Sequence, residues 1–231
     1  NPTDLDRHRP GAEIVDIGAE STRPNAQVVS KEEEFKNLDW ALNILNPSIK
    51  KNNVQISLDS RNSWVVEKTL GKYDIDILND VSGFIDLKMC QLLKESKKKA
   101  VVMHSLSVPP VNSETLRINE NPIDQLVQWW KSKLDQLNTF GVKTDQLIFD
   151  PGIGFGKTKQ QNLYILKHLE EFKKMKSLIM IGHSRKSFLT LFTEREAEKR
   201  DLETALITKD LNLAYVQYLR VHDLERQTLA L

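Results

Sequence analysis

The sequence predicts an α/β fold in which a parallel sheet closes into a (β/α)8 barrel. Three observations carry that expectation. Seven short apolar runs recur along the chain, at 13–18 (EIVDIG), 54–59 (VQISLD), 75–80 (IDILND), 100–104 (AVVMH), 147–152 (LIFDPG), 178–184 (LIMIGHS) and 218–223 (YLRVHD). Stretches with helical spacing separate most of them, as the long crossovers between parallel strands require. Each run also ends in polar or ionisable residues: Asp16, Asp59, Asn79-Asp80, His104, Asp150, His183-Ser184 and His222-Asp223. In such folds the strand C-termini share one face, and that face holds the chemistry. Seven polar ends therefore read as one site assembled around a ring. A closed barrel needs eight strands and about 250 residues. With seven candidate strands and no apolar run in the opening NPTDLDRHRP, a first strand and first helix are expected to be missing or divergent.

The elements follow in order. After the first strand, GAESTRPNAQVV is an aperiodic loop. Ser30 opens a helix, with Glu33 completing a capping box and Glu32, Glu33 and Glu34 at the positive end of the dipole. Phe35, Leu38, Leu42 and Leu45 recur at helical spacing, and Pro47 is expected just past the end. A second helix is expected over 62–71, and a third over 86–97 with Leu87, Leu92 and Leu93 inward and Lys97, Lys98 and Lys99 in solvent. Residues 105–115 form a turn-rich loop around Pro109-Pro110. Asn121 then caps a helix with Pro122 in its first turn and Gly141 beyond its end. Its apolar stripe is Ile123, Leu126, Trp130, Leu134 and Leu137, and Trp129-Trp130 read as core packing. Further helices are expected over 160–175 (Leu163, Leu166, Leu169, Phe172) and 201–217 (Leu202, Ala205, Leu206, Leu213, Val216). There is no internal repeat, low-complexity tract or linker, so residues 1–231 read as one domain.

Composition narrows the function classes. The 231 residues are 39% hydrophobic and 28% charged with formal net charge +1, which suits one core-bearing domain and gives no general case for nucleic acid or membrane binding. The single Cys90 excludes an internal disulfide framework and suits a reducing compartment. No apolar run approaches the ~18 residues that span a bilayer, so a cytoplasmic protein is expected.

Several constellations bear on chemistry. FDPGIGFGKT (149–158) resembles a phosphate loop, but its glycines fit neither the Walker A nor the dinucleotide spacing. It reads as a flexible loop with Asp150 at its base and Phe155 near its tip. GHSRKSF (182–188) places Ser184, Arg185, Lys186 and Ser187 between a strand and a helix, either as an anion site or as a capping serine with two solvated cations. Arg220 and His222 alternate onto one face at the end of the last strand. An inward Arg there needs an anion or acid to meet it, and the pair fits a phosphate. Asp59, Asn79 and Asp150 end three strands. Converging, they suit a heterocycle rich in N–H donors and ring acceptors; the plain alternative is helix capping, and for Asp16 and Asp80 either that or a supporting role is preferred. Arg23 lies in the loop after the first strand, and Arg favours phosphate and carboxylate.

Taken together and in order, DIGAESTRP (16–24), SLDSRN (57–62), LNDVSG (78–83), VMH (102–104), FDPGIGFGKT (149–158), GHSRKSF (182–188) and RVHDL (220–224) resemble the dihydropteroate synthase family of folate biosynthesis, over about residues 11–225. The resemblance implies a (β/α)8 barrel. It implies condensation of 6-hydroxymethyl-7,8-dihydropterin pyrophosphate with p-aminobenzoate, giving 7,8-dihydropteroate and pyrophosphate. It implies a pterin site at Asp59, Asn79, Met103, Asp150 and Lys186, and pyrophosphate ligands at Arg23, Arg220 and His222. Thr22, Pro24, Phe155 and Ser187 take the p-aminobenzoate side, where sulfonamides compete in this family. Lys186, Arg220, His222 and Asp59 are the implied catalytic groups, with Mg²⁺ as cofactor and a homodimer as the usual assembly. The family's N-terminal Asn-x-Thr-x-Asp-Ser-Phe segment, which supplies a magnesium-binding Asn, is not recognisable, so the metal ligands stay unassigned. MHSLSVPP also lacks the glycine usual after the His. A corrinoid-dependent methyltetrahydrofolate methyltransferase would share the pterin contacts but has no use for Arg23, Arg220 and His222; an inactive barrel kept as a binding partner would not need the anion ligands either.

Overall fold

A computed structural model of the chain describes residues 11–21, 29–111, 113–228 and 230. Within them, seven parallel strands follow one another through a sheet in chain order: β1 (Ile14–Gly18), β2 (Gln55–Asp59), β3 (Ile77–Asp80), β4 (Lys99–Met103), β5 (Leu147–Asp150), β6 (Leu178–Ile181) and β7 (Tyr218–Leu219). The sheet curls until the residue after β7 meets β1, because Arg220 Nε lies 2.6 Å from Asp16 Oδ2. The α/β class and the parallel sheet are as expected. An eighth strand and a closed ring are not among the described residues. The last strand is also shorter than its YLRVHD run: Arg220, Val221 and His222 lie beyond it.

Strand alternation divides the sheet's residues into two sets. Ile77, Val101, Ile148 and Met180, with Ile14, Leu178 and Tyr218, pack together on the inner face. Val15, Ile17, Ile56, Leu58, Leu78, Ala100, Val102, Leu147, Phe149, Ile179 and Ile181 pack outward into the helices. Continuing the inner set by twos reaches Asp16, Asp59, Asn79, Met103, Asp150 and Gly182. Register sets these ends in steps: Asp59 pairs with Asn79 and Met103 with Asp150, while Asp16 pairs with Ser57, two residues below Asp59, and Asn79 with Val101, two below Met103.

The helices cover the outer face. Ser30 caps α1 (Lys31–Lys51), accepting from Glu33 N at 3.2 Å. Contrary to expectation, α1 runs through Pro47, because Ile49 is 3% exposed and ties the last turn to the core. α2 (Ser63–Leu70) and α3 (Leu87–Ser96) are capped by Asn62 and Asp86. Leu87 faces solvent at 61% exposure, and Met89, Cys90, Leu92 and Leu93 form the buried stripe instead. Asn121 caps α4 (Pro122–Thr139), accepting from Ile123 N and Asp124 N. Trp130 is buried, 5.1 Å from Phe149 between ring centroids, and donates from Nε1 to Ser177 Oγ at 2.9 Å. It is a core residue, as expected.

Two expected helices are shorter than their periodicity. α5 (Lys159–Lys167) stops at His168, and Leu169–Met175 continues as a 3₁₀ turn that still buries Leu169 and Phe172. α6 (Asp201–Asp210) ends before Leu211, and a further 3₁₀ turn covers Leu213–Tyr215. Leu202 and Leu206, read as inward, are exposed; Thr204, Ala205 and Thr208 face inward and meet His183 through Thr208 Oγ1 at 2.8 Å. α7 (Leu224–Thr228) closes the described chain. Among the described residues no helix is long and apolar enough to cross a membrane.

Candidate active site

The site lies at the C-terminal ends of the strands, where the inner face changes from apolar to polar. Asp16, Asp59 and Asn79 come from β1, β2 and β3, and Arg220 follows β7. Arg220 reaches Asp16 at 2.6 Å through Nε and Asp59 Oδ2 at 3.3 Å through Nη2. Asn79 Nδ2 donates to Asp16 at 3.2 and 3.3 Å. Asp16 does not cap a helix; it holds Asn79 and Arg220, the supporting alternative of the two expected for it. Asp80, one residue out of phase, faces away and caps no helix, since Asp86 caps α3. Its Oδ1 accepts from Ser82 N at 2.7 Å and its Oδ2 from Phe84 N at 2.9 Å, so it folds the turn after β3.

Asp150 ends β5 with one oxygen committed: Oδ1 accepts from Gly152 N at 2.7 Å. Its Oδ2 faces the space over Gly182, where an added Cβ would lie 3.9 Å from both Asp150 Oδ2 and Arg220 Cβ. Asp150 and Arg220 therefore flank Gly182, and Arg220 links that point to Asp59. Burial first, and then the Asp16 charge, push the Asp59 carboxyl up to about 7, against the opposing Arg220 and Lys186 charges. Burial also raises Asp150, against the Gly152 N–H and the cations Lys186, Lys157 and Arg220. The Asp16 charge, ahead of Asp59, holds Arg220 firmly protonated.

Lys186 reaches the same place from the loop after β6. Its Nζ stands 4.4 Å from the centre of the Phe155 ring, within cation–π range. Phe155, Met103 and Val81 are buried together, with Val108 against them, as an apolar wall beside the acids. His222 lies on the rim: its Nδ1 is 2.9 Å from Ser184 Oγ, and its backbone N donates to the same oxygen at 3.2 Å. Ser187 is exposed and opens a 3₁₀ turn, Ser187–Leu191. No long helix follows the Ser-Arg-Lys segment, so the expected helix dipole is absent there. Arg185, in a left-handed conformation (φ 59°), points away and forms a two-pronged pair with Asp201 at 2.7 and 2.8 Å. Thr22, Arg23 and Pro24 lie outside the described residues, as does Asn1. The root of their loop is held by Glu20, which accepts from Arg61 at 2.9 and 3.0 Å.

FDPGIGFGKT is a folded scaffold and not the loose loop of the sequence reading. Gly152 sits at φ +66°, and a Cβ there would come 2.0 Å from the His104 carbonyl oxygen. Lys157, absent from the sequence reading, is buried inside the loop. Its Nζ donates to Gly152 O (3.0 Å) and Phe155 O (2.8 Å) and lies 3.0 Å from His104 Nδ1. Burial pulls its ammonium down to about 7, with the Asp150 charge opposing. Burial, and then the Lys157 charge, pull His104 down to about 2. His104 is therefore neutral, packed edge-on to Trp129 at 5.0 Å, and it faces the helices instead of the opening. A long polar side chain in a glycine-rich loop carries no sequence signal of such burial. No group of three or more His, Cys, Asp or Glu among the described residues is arranged to hold a metal ion, so the magnesium expected from the resemblance has no ligand set there.

The arrangement offers carboxylate acceptors and an amide beside fixed cations, with an aromatic wall alongside. Comparison with known proteins agrees. Residues 6–222 match the pterin binding enzyme family. The chain is 35% identical over 218 residues to a folate synthesis bifunctional protein of Chlamydia caviae, covering 93% of this chain and 48% of the relative. It is 31% identical over 216 residues to the dihydropteroate synthase of Clostridium beijerinckii, covering 92% and 76%. A crystal structure of dihydropteroate synthase from Anaplasma phagocytophilum with bound 6-hydroxymethylpterin-monophosphate superposes with a TM-score of 0.89 at 33% identity, covering 99% of this chain and 89% of that one. The chain spans about half the length of the bifunctional relatives it matches. The family match over nearly the whole chain, on a site of this composition, makes the protein a member of the pterin-binding enzyme family, alongside the dihydropteroate synthases.

Proposed function

We propose that the protein is a dihydropteroate synthase, a transferase that joins 6-hydroxymethyl-7,8-dihydropterin pyrophosphate to p-aminobenzoate. One observation supports this reading: Arg220 bonds Asp16 and Asp59, Asn79 bonds Asp16, and the Arg220 and Lys186 charges act on both Asp59 and Asp150. The acids and the amide suit the N–H-rich bicyclic ring; the bases suit its diphosphate tail. A corrinoid methyltransferase would need the first set and not the second.

The chemistry breaks the C–O bond between the pterin methylene and the diphosphate and forms a C–N bond to the aniline nitrogen, which loses a proton. Electron donation from the dihydropterin lets positive charge develop on the methylene carbon. Asp59 and Asp150 stabilise that charge by accepting from ring N–H groups, in a site where burial strengthens the interaction. Arg220 and His222, with Arg23, take the departing diphosphate. Met103 and Phe155 flank the rings, and Lys186, lying over Phe155 and between the acids, spans both substrates. Thr22, Pro24 and Ser187 complete the p-aminobenzoate side, holding its nitrogen in line with the carbon. Magnesium belongs to the family's chemistry as charge neutralisation on the diphosphate. No side chain acts as a covalent nucleophile in this scheme. The curled sheet is read as the greater part of a (β/α)8 barrel, residues 1–231 as one domain, and the protein as a cytoplasmic homodimer. Incubating the protein with pterin pyrophosphate and p-aminobenzoate, and resolving the products by chromatography, tests the reading. Dihydropteroate with equimolar pyrophosphate is expected; no product from the full-length protein sinks the assignment.

A further inference from the structure

Asp16 is the acid of the cluster that has no ligand in the scheme above, yet it makes the cluster's shortest contact. Its Oδ2 lies 2.6 Å from Arg220 Nε, against 3.3 Å from Arg220 Nη2 to Asp59. Asn79 holds the carboxylate in place through both oxygens, at 3.3 and 3.2 Å. The Asp16 side chain is 16% exposed and Asp59 21%, whereas Arg220 remains 41% exposed. The arginine is a lid end resting on two recessed acids. A guanidinium is a planar fork of N–H donors suited to carboxylate and phosphate alike. It therefore occupies an Asp59 oxygen that a ring N–H would need, while two of its own nitrogens, Nε and Nη2, are taken up by carboxylates.

We infer that Asp16 is a positioning residue that competes with the diphosphate for Arg220, holding the arginine down on Asp59 until a substrate tail lifts it. This rests on the role proposed for Arg220. Binding of the tail then exchanges one anion for another on the guanidinium and uncovers Asp59 for the ring in the same movement. After the C–O bond breaks, Asp16 recaptures the arginine and favours release of the free pyrophosphate. Gly182 makes room for the swing, because no side chain fills the space between Arg220 Cβ and Asp150 Oδ2.

The test is calorimetric titration of the protein with inorganic pyrophosphate, using wild type, Asp16→Asn, Arg220→Ala and the double variant. Asp16→Asn keeps the shape and a polar partner for Asn79 but removes the competing charge. Pyrophosphate should bind about fivefold more tightly to it, the scale of one partly exposed ion pair. The gain should vanish in the Arg220→Ala background. In turnover, KM for the pterin substrate should fall while kcat falls with it, because product leaves more slowly. General damage to the site would weaken binding instead of tightening it. Asp16→Ser serves as a second variant if Asp16→Asn melts early. Unchanged or weaker pyrophosphate binding in both, with Arg220→Ala still defective, overturns the inference and leaves the Arg220 assignment standing. Pyrophosphate binding indifferent to Arg220→Ala overturns both.

Discussion

Replacing Asp150 by asparagine perturbs one oxygen and almost nothing else. Asp150 Oδ1 accepts from Gly152 N at 2.7 Å, in a loop whose Gly152 conformation no other residue fits. That backbone donor requires an acceptor, so the amide oxygen of the introduced side chain must take the Oδ1 position. The amide NH₂ then stands where Oδ2 faced the opening. Toward a ring N–H, an acceptor has become a donor. The loss of that buried hydrogen bond is of the order of 2 kcal/mol, or roughly thirtyfold in pterin affinity. The fold should not suffer. Burial already raises the Asp150 carboxyl, so removing the charge relieves a desolvation cost, and the melting temperature should hold or rise. Titration calorimetry with a dihydropterin measures the first effect and thermal unfolding the second. Undiminished pterin affinity in a folded Asp150→Asn protein would show that this oxygen does not meet the ring.

Three further outcomes are expected. Gly152→Ala forces a methyl group toward the His104 carbonyl from a left-handed backbone; it should cost about 3 kcal/mol or more by chemical denaturation, and a near-neutral variant would mean that the loop is not packed as described. Trp130→Ala empties a fully buried site and removes the Nε1 donor to Ser177 Oγ, so a loss of about 3–5 kcal/mol is expected, and a loss below about 1 kcal/mol would contradict the packing. Asp59, raised to about 7, is largely protonated below that pH and accepts poorly, so pterin affinity measured between about pH 5 and 8 should rise with pH. The sign for stability is opposite: a raised folded-state pKa means that ionisation above the unfolded value of 3.8 works against folding. Asp59→Asn should flatten the pH dependence of binding, and a profile unaltered by the substitution would assign the titration to another group.

Much of the site was legible because strand alternation is a rule of backbone geometry. Asp16, Asn79 and Asp150 lie two residues beyond inner-face apolar positions in their own strands, and Asp59 lies two beyond Ser57, which pairs with inner-face Ile77, so their common direction follows once the inner face is known. The same parity separates Asn79, which meets Asp16, from Asp80, which folds a turn. The caps at Ser30 and Asn121 were legible for a similar reason: each satisfies backbone donors within three residues.

What failed was governed by contacts distant in sequence. Pro47 stays helical because Ile49 finds the core, and Leu87, Leu202 and Leu206 face solvent because neighbouring residues fill the inward positions. Lys157 is buried because His104, Gly152 and Phe155 supply acceptors that only the folded loop brings together. Arg185 and Lys186, adjacent in the chain, part company: one pairs with Asp201, and the other reaches the acids. The amino-acid order alone thus determined the alternation of strands and helices and the common direction of Asp16, Asp59, Asn79 and Asp150, since these depend on local periodicity, but not that His104 and His183, also at strand ends, face the helices. Only the tertiary structure decided that Asp16 belongs with Asp59 and that Arg220 closes over both, because Asp16 and Arg220 lie 204 positions apart and a curled sheet is needed to bring them within a hydrogen bond.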